Sequence, residues 1–305
     1  MNKKRVVLSG LFYPVAILRY FEAALRARPD VELITVGPYT GTWIPWGGSM
    51  NLPEKYAISP TIPLHKHMVQ AGSVSAGFLS EQELLDDVDL WIQCDAGWYF
   101  NTRPPAKHVV HIATDPHVLD YSRQRVLSDK FFNMQKFYSK PGDIYLPYAA
   151  SRYHHYPVDA EKEYDVCIVG LQYTNRNRLV DVLRSQGISV FYTLGLGPDE
   201  YREAYSKARV GVSWSSLSDL IARVFEVGAM GLPLVTNRVP DLPLHFIEDF
   251  DYLGFDTVHE AVEKIKLLLD VDIVSKVNSD SLLNKVFMHH TYDNRIQQIF
   301  EEVGL

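Results

Sequence analysis

Short apolar runs and amphipathic stretches alternate along this chain, and this alternation restricts the fold more than any other feature of the sequence. An apolar run over residues 5–9 is followed by Gly10, an amphipathic stretch over 16–28 and a second apolar run over 31–36. Buried strands that alternate with helices are typical of parallel sheets with right-handed crossovers. The first half continues this pattern with a predicted helix over 81–87, strands over 89–93 and 108–113, and a helix over 118–127.

The pattern stops in a polar, aromatic and proline-containing stretch over residues 148–163 and then begins again. The second series predicts strands over 164–170, 188–193, 209–214 and 233–236, and helices over 175–186, 198–207, 219–229 and from 259 to the end. A chain of 305 residues is about twice the size at which single domains cluster. We therefore expect two Rossmann-like α/β domains with a boundary near residue 155.

The composition excludes several classes of protein. With 47% hydrophobic and 22% charged residues, the chain lacks the polar bias of a disordered protein. Its net charge of -7 argues against a protein whose whole surface binds nucleic acid.

Cys94 and Cys167 lie in apolar runs, which excludes a disulfide framework and favours the cytoplasm. No apolar run approaches the ~20 residues of a membrane span, and Ser9 and Gly10 interrupt the N-terminal run too early for a signal peptide.

The turn after the first strand argues against a dinucleotide cofactor. It reads Ser-Gly-Leu-Phe-Tyr from Ser9 and lacks the Gly-x-Gly-x-x-Gly that allows a pyrophosphate to approach the backbone. We therefore expect no cofactor. Residues 37–78 form a long irregular insertion rich in Gly, Pro, Trp, Ser and His, and such insertions are more often functional than accidental.

The corresponding turn of the second half has the chemistry of a diphosphate site. Gly170 ends the strand, and Arg176 and Arg178 follow at the start of the next helix. Backbone amides at a helix N-terminus and guanidinium groups both bind phosphate oxygens. Arginines on a solvated helix face are the alternative.

A serine-rich turn with Ser216 and Ser218 opens the helix predicted over 219–229. Arg223 and Glu226 are three residues apart and share one face of this helix. A carboxylate there can accept hydrogen bonds from both hydroxyls of a ribose, while the arginine and the serine-capped helix end face phosphate oxygens. From the spacing alone, a surface Arg–Glu pair is the alternative.

The segment over 223–236, Arg-Val-Phe-Glu-Val-Gly-Ala-Met-Gly-Leu-Pro-Leu-Val-Thr, resembles the nucleotide-sugar-binding segment of GT-B glycosyltransferases, which has the form Glu-Ala-x-Ala-x-Gly-x-Pro-Val-Val. Residues 164–170, with Asn-Arg-Asn-Arg over 175–178, look like the opening strand and phosphate loop of the same domain. Residues 289–295 resemble the closing helix of the family. In detail the chain is most similar to the branch typified by spore-maturation glycosyltransferases of the CgeB type, and the similarity covers about residues 105–305.

This resemblance implies a GT-B architecture of two facing Rossmann-like domains with the active site in the cleft between them. It implies an acceptor-binding domain over 1–155, a nucleotide-sugar-binding domain over 156–288, and a C-terminal helix over 289–305 that packs back on the first domain.

The resemblance also implies roles for individual residues. Glu226 is the expected ribose ligand, and three arginines are the expected diphosphate ligands. The donor-binding residues implied in this way are Glu226, Arg223, Arg176, Arg178, Gly170, Ser216 and Ser218. Retaining relatives carry a second glutamate eight residues before the ribose glutamate, where this chain has Ser218 beside Asp219. This departure leaves the stereochemical outcome open.

Asp115 is the first candidate for the catalytic base. The acceptor hydroxyl needs a group that takes its proton or orients it, and Asp115 follows the strand over 108–113 at the edge where loops of an open α/β sheet line the ligand crevice. It resembles the aspartate of the Asp-Pro segment in the spore-maturation branch. A helix N-cap ahead of Pro116 is the alternative role. Asp95, after the strand over 89–93, is the second catalytic candidate.

The acceptor is expected to contact the first domain. The residues assigned to it are Gly10, Trp43, Trp46, Trp98 and His117. A tryptophan can stack on a sugar or a base, with packing in the core as the alternative. Trp43 and Trp46 share a long aromatic loop over residues 41–50, which could stack on a base if the acceptor is DNA.

We expect no metal site. Asp-x-Asp pairs occur at 87–89, 249–251 and 270–272, but each lies at a helix or loop edge where solvated carboxylates are common. Paired histidines at 65–67, 154–155 and 289–290 have no cysteine or carboxylate nearby to complete a ligand set.

Together these features predict a metal-independent hexosyl- or pentosyltransferase that uses a nucleotide-sugar, a UDP-sugar by preference. The alternatives are a nucleotide-sugar epimerase of the same fold and a non-catalytic nucleotide-sugar-binding subunit. Residues 103–152 carry a net charge of +4, which leaves -11 on the rest of the chain. This segment forms solvated helix faces or attracts a polyanionic acceptor, such as a modified DNA base or a phosphate-bearing glycan.

Overall fold

The protein consists of two compact α/β units. The computed structural model describes residues 3–45, 50–77, 79, 82–95, 97–270 and 278–305, without the side chain of Asp95. The first unit comprises Met1–Pro147 together with Tyr292–Leu305, and the second unit comprises Tyr148–Thr291.

A parallel sheet of seven strands forms the centre of the first unit. The strands of this unit are β1 (Lys4–Ser9), β2 (Val31–Pro38), β3 (Trp43–Ile44), β4 (Met50–Asn51), β5 (Ile62–Leu64), β6 (Ser73–Val74), β7 (Leu90–Asp95), β8 (Tyr99–Phe100), β9 (His108–Ala113), β10 (Lys130–Asn133) and β11 (Ile144–Tyr145). The sheet order is β11-β10-β9-β7-β1-β2-β5, with every pair parallel. Helix α1 (Ile17–Arg26) follows β1, and helix α2 (Ser122–Leu127) follows β9.

The central strands of this sheet are buried on both faces. Val6, Val7 and Leu8 of β1 are all fully buried, as expected for parallel strands that are covered by other elements on each side. Because neighbouring strands run the same way, their carboxyl ends meet at one edge. The loops after β1, β7, β9 and β10 therefore emerge together, at the edge where open α/β sheets bind ligands.

The second unit has a five-stranded parallel sheet between two layers of helices. Its strands are β12 (Tyr164–Val169), β13 (Val190–Thr193), β14 (Ala208–Ser213), β15 (Leu234–Asn237) and β16 (Leu253–Phe255), in the order β13-β12-β14-β15-β16. Its helices are α3 (Thr174–Ser185), α4 (Pro198–Ser206), α5 (Ala222–Ala229), α6 (Val258–Leu269) and α7 (Ser279–His289). One core lies against α4, α5 and α7 and the other against α3 and α6, so both faces of the sheet are covered.

The last helix, α8 (Tyr292–Val303), belongs to the first unit. Its buried face includes Tyr292, whose ring centroid lies 4.8 Å from that of Phe21 on α1. Buried Arg295 donates from Nε to the carbonyl of Pro147 at 2.7 Å. Aromatic packing and a buried hydrogen bond therefore hold this helix in the first unit.

Two helices predicted from the sequence are shorter in the structure. The helix predicted over 118–127 begins at Ser122, because Oδ1 of Asp120 accepts the backbone N–H and the hydroxyl of Ser122 at 3.1 and 2.6 Å. The helix predicted over 81–87 is a single 3₁₀ turn at Glu83–Leu85. Among the described residues, no helix combines the length and apolar character needed to cross a bilayer.

Candidate functional site

The turn after β12 lies against two arginine side chains. Gly170 has φ +144°, a conformation that favours glycine. A β-carbon at this position would collide with Nη2 of Arg223 and would lie 3.3 Å from Nη1 of Arg176. The structure therefore brings three of the residues assigned to the donor together at the carboxyl edge of the second sheet.

Arg176 is built into the fold around this turn. From α3, its Nε donates to the carbonyl of Trp214 at 2.9 Å and its Nη1 to the carbonyl of Leu171 at 2.8 Å, while Nη2 also donates to Trp214. Burial and the nearby charge of Arg223 lower the pKa of Arg176 to about 10. Arg176 thus fastens the ends of β12 and β14 to each other and adds positive charge beside Gly170.

Arg178 occupies a different face of the same helix. Two residues along an α-helix correspond to about 200° of rotation, and Arg178 is exposed whereas Arg176 is buried. Arg178 is also not among the nearest neighbours of a β-carbon at Gly170, which belong to Arg223 and Arg176.

Arg223 has unused hydrogen-bonding capacity. The Nε and Nη1 atoms of its guanidinium group are buried, and neither has a hydrogen-bond acceptor within the described part of the chain. A buried donor without an acceptor destabilises a protein by about 1–3 kcal/mol. An anion bound beside Gly170 would supply acceptors to these atoms and offset the mutual repulsion of Arg223 and Arg176.

Glu226 lies on the same helix face as Arg223, and its side chain is only 11% exposed. Its Oε2 accepts the hydroxyl of Tyr201 at 2.6 Å, and its Oε1 lies 3.9 Å from Nε2 of His155. Burial raises the pKa of Glu226, which the Tyr201 hydrogen bond and the charge of Arg223 partly offset. A carboxylate has about four acceptor positions, so Glu226 can accept further hydrogen bonds while it holds Tyr201.

Ser215 and Asn237 organise the loop between β14 and α5. The backbone N–H of Ser215 donates to Oδ1 of Asn237 at 2.7 Å, and Nδ2 of Asn237 donates to the carbonyl of Ser215 at 3.2 Å. The Ser215 hydroxyl donates to the carboxylate of Asp219. Ser216 and Ser218 are exposed at the tip of this loop, with Ser218 at φ +58°.

The serine cap expected for α5 is absent. The helix begins at Ala222, and its N-cap residue is Ile221, which supplies no side-chain hydrogen bond. The serine-rich turn ends before the helix begins because Ser215 closes that turn on Asp219 instead. The first amides of α5 therefore have no serine ligand.

Asp115 lies just beyond the carboxyl end of β9. Its Oδ2 accepts the hydroxyl of Thr114 at 2.7 Å, and its own backbone N–H donates to the Tyr121 hydroxyl at 3.3 Å. Since α2 begins at Ser122, the alternative role of Asp115 as N-cap of that helix is wrong. Asp95 ends β7 and is paired in register with Ala113 of β9, so both aspartates are at the same sheet edge; the side chain of Asp95 lies outside the described residues.

The residues assigned to the acceptor have different environments. Trp98 is fully buried and its ring contacts Phe100, with centroids 5.0 Å apart. Its assignment as an acceptor ligand is therefore corrected to a residue of the hydrophobic core. Gly10 allows close backbone packing, because a β-carbon there would collide with the carbonyl oxygen of Cys94. Trp43 is 37% exposed, and Trp46 lies outside the described residues.

His117 belongs to an aromatic cluster at the carboxyl edge of the first sheet. Its ring centroid lies 5.5 Å from that of Tyr138, which in turn lies 5.1 Å from Phe137. Phe137 is 63% exposed. The loops after β9 and β10 thus present aromatic surface beside Asp115.

Carboxylates of the Asp-x-Asp pairs have structural partners. Asp89 pairs with Lys107 at 2.7 Å, and buried Asp251 pairs with Lys285 at 2.5 Å. Asp272 lies outside the described residues. Among the residues that are described, no three His, Cys, Asp or Glu side chains are grouped so that they could hold a metal ion.

Sequence reasoning assigned no role to two residues that contact Glu226. Tyr201 lies 25 positions before Glu226 on α4, and His155 lies in the loop that precedes β12. No local spacing pattern links positions so far apart. The packing of α4 against β12 and β14 brings Tyr201 to the carboxylate, and the course of the chain before β12 brings His155 to it.

Comparison with known proteins supports the resemblance in part. Residues 153–301 match the family model described as "Glycosyl transferase-like". No curated protein has significant sequence similarity to the chain.

Solved structures with similar folds include the following three. Sucrose-phosphate synthase from Thermosynechococcus elongatus has 11% identity and a TM-score of 0.60, with 99% of each chain covered. An alpha-glucosyltransferase in complex with UDP-glucose and DNA containing an abasic site has 12% identity and a TM-score of 0.62, with 100% of each chain covered. AviGT4, a glycosyltransferase involved in avilamycin A biosynthesis, has 11% identity and a TM-score of 0.58, with 99% of this chain and 97% of AviGT4 covered.

The CgeB-type branch is not among these findings. What they show is a mixed α/β fold with parallel sheets, similar to that of GT-B glycosyltransferases, and a match of residues 153–301 to a glycosyl transferase-like family model.

Proposed function

We propose that this protein is a glycosyltransferase that moves a hexosyl or pentosyl group from a UDP-sugar to an acceptor hydroxyl, and that it acts in the cytoplasm. The observation that carries the proposal is the grouping of Gly170, Arg223 and Glu226 at the carboxyl edge of the second sheet. The match to a glycosyl transferase-like family and the similar fold of an alpha-glucosyltransferase that binds UDP-glucose support it. The CgeB-type branch is the part of the superfamily that we propose for the chain.

Glu226 and Arg223 have the chemistry to hold the two ends of the nucleoside diphosphate. Glu226 accepts hydrogen bonds from the ribose hydroxyls, and the unused N–H groups of Arg223 donate to the diphosphate. The first amides of α5 have no side-chain cap, so they are available to phosphate oxygens. Arginine and helix-end charges stabilise the negative charge that develops on the leaving diphosphate.

Asp115 is the proposed base or orienting group for the acceptor. The acceptor oxygen bonds to the anomeric carbon, the bond from that carbon to the donor phosphate oxygen breaks, and the acceptor proton passes to the carboxylate. The Thr114 hydroxyl donates to Oδ2 of Asp115 and so orients this carboxylate. Asp95 remains the second candidate for this role.

We propose a polyanionic acceptor: a hydroxyl-bearing DNA base or a phosphate-bearing glycan. A fold neighbour is an alpha-glucosyltransferase solved with UDP and a DNA 13-mer containing an HMU base, and residues 103–152 of this chain carry a net +4. The structure reduces the charge that is available. Carboxylates from outside this segment pair with two of its lysines, Lys107 with Asp89 and Lys130 with Glu302, whereas exposed Lys136 beside Phe137 forms no ion pair with a described residue. Lys136 and Phe137 are therefore the proposed contacts for a phosphate and a ring.

Calorimetric titration with UDP tests the donor site. We expect Glu226→Ala to weaken UDP binding by ~1.5–3 kcal/mol, because hydrogen bonds to a charged acceptor are lost. Unchanged affinity would remove the ribose assignment. Incubation with UDP-sugars and no acceptor separates the alternatives: slow donor hydrolysis supports a transferase, an epimerised sugar supports the epimerase, and tight binding without turnover supports a binding subunit.

Salt dependence tests the acceptor. Transfer to an oligonucleotide that carries a hydroxymethylated base should fall steeply between low and physiological salt, since phosphate contacts release counterions. Unmodified DNA of the same sequence is the control that binds without accepting a sugar. Rates at sub-saturating acceptor that stay flat with salt would exclude a polyanion and leave a neutral sugar or small molecule as the acceptor.

A further inference from the structure

The carboxylate of Glu226 is held from one side by a residue outside its own helix. Tyr201 on α4 donates its hydroxyl to Oε2 at 2.6 Å, a short bond typical of a charged acceptor. Burial and the nearby charge of Glu226 raise the pKa of Tyr201 well above its ordinary value. Tyr201 is therefore always the donor and Glu226 always the acceptor in this pair.

A second residue faces the other oxygen without bonding to it. Fully buried His155 lies with Nε2 3.9 Å from Oε1 of Glu226, beyond the range of a hydrogen bond. Its Nδ1 accepts the backbone N–H of Ser151 at 3.0 Å, so a neutral ring carries its hydrogen on Nε2. Burial and the charge of Arg202 lower the pKa of His155 to about 3, and the ring is neutral when Glu226 is charged.

The position of Tyr201 is fixed by its own packing. Its ring lies between those of His155 and Tyr205, at centroid distances of 5.9 and 4.9 Å. The hydroxyl of Tyr205 accepts the backbone N–H of Val169 at 3.4 Å. A continuous stack of side chains therefore links the end of β12 to the carboxylate.

We propose that Tyr201 is a positioning residue for ribose recognition: it holds Oε2 of Glu226 so that Oε1 faces the 2′- and 3′-hydroxyls of the nucleotide. This inference rests on the proposed function. A carboxylate that cannot rotate offers hydrogen bonds of fixed direction to both hydroxyls. Because the site is already ordered before the ligand binds, these hydrogen bonds contribute more to affinity than they would from a mobile side chain. Tyr201 thereby makes the site selective for ribonucleotides over 2′-deoxyribonucleotides.

The same contact affects the pH dependence of donor binding. Three groups face the Glu226 carboxylate: the Tyr201 hydroxyl, neutral His155 and the charged Arg223. Burial raises the pKa of Glu226 and Tyr201 lowers it, because a hydrogen bond to a carboxylate favours the charged form. Loss of the Tyr201 hydroxyl should therefore move the midpoint of donor binding to higher pH.

Calorimetry with UDP and 2′-deoxy-UDP tests the proposal on three proteins: the native chain, Tyr201→Phe and Tyr252→Phe. Tyr252 is another buried tyrosine of the second unit, at the start of β16. We expect Tyr201→Phe to bind UDP about 5–10-fold more weakly and 2′-deoxy-UDP less than about twofold more weakly. In turnover assays the donor KM should rise with kcat unchanged. Tyr252→Phe should keep the native ratio of the two affinities and the native pH midpoint.

Three outcomes would overturn the proposal. Equal losses for UDP and 2′-deoxy-UDP would show that Tyr201 acts through general stability, and unchanged UDP affinity would show that it does not position Glu226. A pH midpoint that stays at the native value would contradict the hydrogen bond as its source. The same measurements separate failure of this proposal from failure of the proposed function. If Glu226 does not bind the ribose, Glu226→Ala leaves the UDP affinity unchanged. If Glu226→Ala lowers the UDP affinity but Tyr201→Phe does not, only the positioning role of Tyr201 is contradicted.

Discussion

The α-carbon of Gly170 and the guanidinium group of Arg223 are so close that no side chain fits between them. The turn after β12 thus allows an arginine from α5 to reach the backbone at the sheet edge. A phosphate bound there would accept hydrogen bonds from backbone N–H groups and from a guanidinium group. Both kinds of donor bind anions in proteins.

Replacement of Gly170 by alanine should therefore damage both the fold and the donor site. A left-handed φ of +144° with a β-carbon costs about 1–3 kcal/mol, and the collision displaces Arg223. We expect lower unfolding free energy by denaturant titration and a clear loss of UDP affinity. Gly187→Ala is the control, because Gly187 has φ +78° but no atom within 4 Å of its would-be β-carbon. UDP binding that survives Gly170→Ala would contradict the phosphate site.

Arg176 and Arg178 should respond differently to substitution by methionine. Arg176→Met removes the two Arg176 donors from the carbonyl of Trp214, at a cost of about 1–3 kcal/mol, whereas the Leu171 carbonyl keeps the N–H of Tyr173. Arg178→Met removes an exposed side chain and should change stability by less than about 0.5 kcal/mol. We expect UDP affinity to stay within about twofold in Arg178→Met. A tenfold loss in that variant would instead support Arg178 as a diphosphate ligand.

The stability of the second unit should fall in mild acid. Burial and the charges of His155 and Arg202 lower the pKa of His154 to about 4. Burial and the charge of Arg202 lower the pKa of His155 to about 3. Below the unfolded pKa near 6.5 the unfolded chain takes up protons that the folded chain does not, so stability is lost as pH falls from there toward 4. Each histidine contributes a slope of roughly 1.4 kcal/mol per pH unit. The raised pKa of Glu226 acts with the opposite sign.

Urea titrations between pH 7.5 and 5 measure this slope, and His155→Gln should reduce it by about half. A stability that does not change over this range in the native chain would show that the two histidines are protonated in the folded state.

Transfer should survive a chelator. In the proposed site, Arg223, Arg176 and the start of α5 would supply positive charge to the leaving diphosphate, so we expect no requirement for a metal ion. The test compares initial rates before and after treatment with EDTA. Loss of activity that manganese restores would show that a metal acts in the reaction.

Asp115→Asn should lower kcat by about 10²–10⁴-fold and leave UDP affinity unchanged, because a general base acts on the acceptor and not on the donor. Asp95→Asn is the matched comparison at the neighbouring strand end. If Asp95→Asn causes the larger loss, Asp95 is the base and Asp115 orients the loop through Thr114.

Most strands of the two sheets follow from local sequence, since continuous apolar runs such as Val6–Leu8 have few alternatives to a buried parallel strand. The short strands β5, β10, β11 and β16 were not predicted from the sequence. The first and last residues of the helices are predicted less well from the sequence. The predicted start of α2 was wrong because a single side chain, Asp120, closes a turn at Ser122. The serine cap of α5 was wrong for a similar reason, because Ser215 bonds to Asp219 within its own loop.

In the candidate site, too, features that depend on local sequence can be predicted, and features that depend on tertiary packing cannot. Arg223 and Glu226 are recognisable because their spacing on one helix is a local property. The hydrogen bond from Tyr201 to Glu226 depends on how two helices pack over the sheet, and the difference between Arg176 and Arg178 depends on which helix face the core covers. Two arginines within one helical turn therefore have different environments.

The second unit leaves and rejoins the rest of the chain at adjacent points. The backbone N–H of Ala150, near its first residue, donates to the carbonyl of His290, near its last, at 2.9 Å. Within the first unit, Arg295 likewise holds Pro147. In engineering terms the second unit is an insertion whose two ends meet, so we expect residues 148–291 to fold when they are expressed alone and to be exchangeable for the equivalent segment of a protein with the same fold.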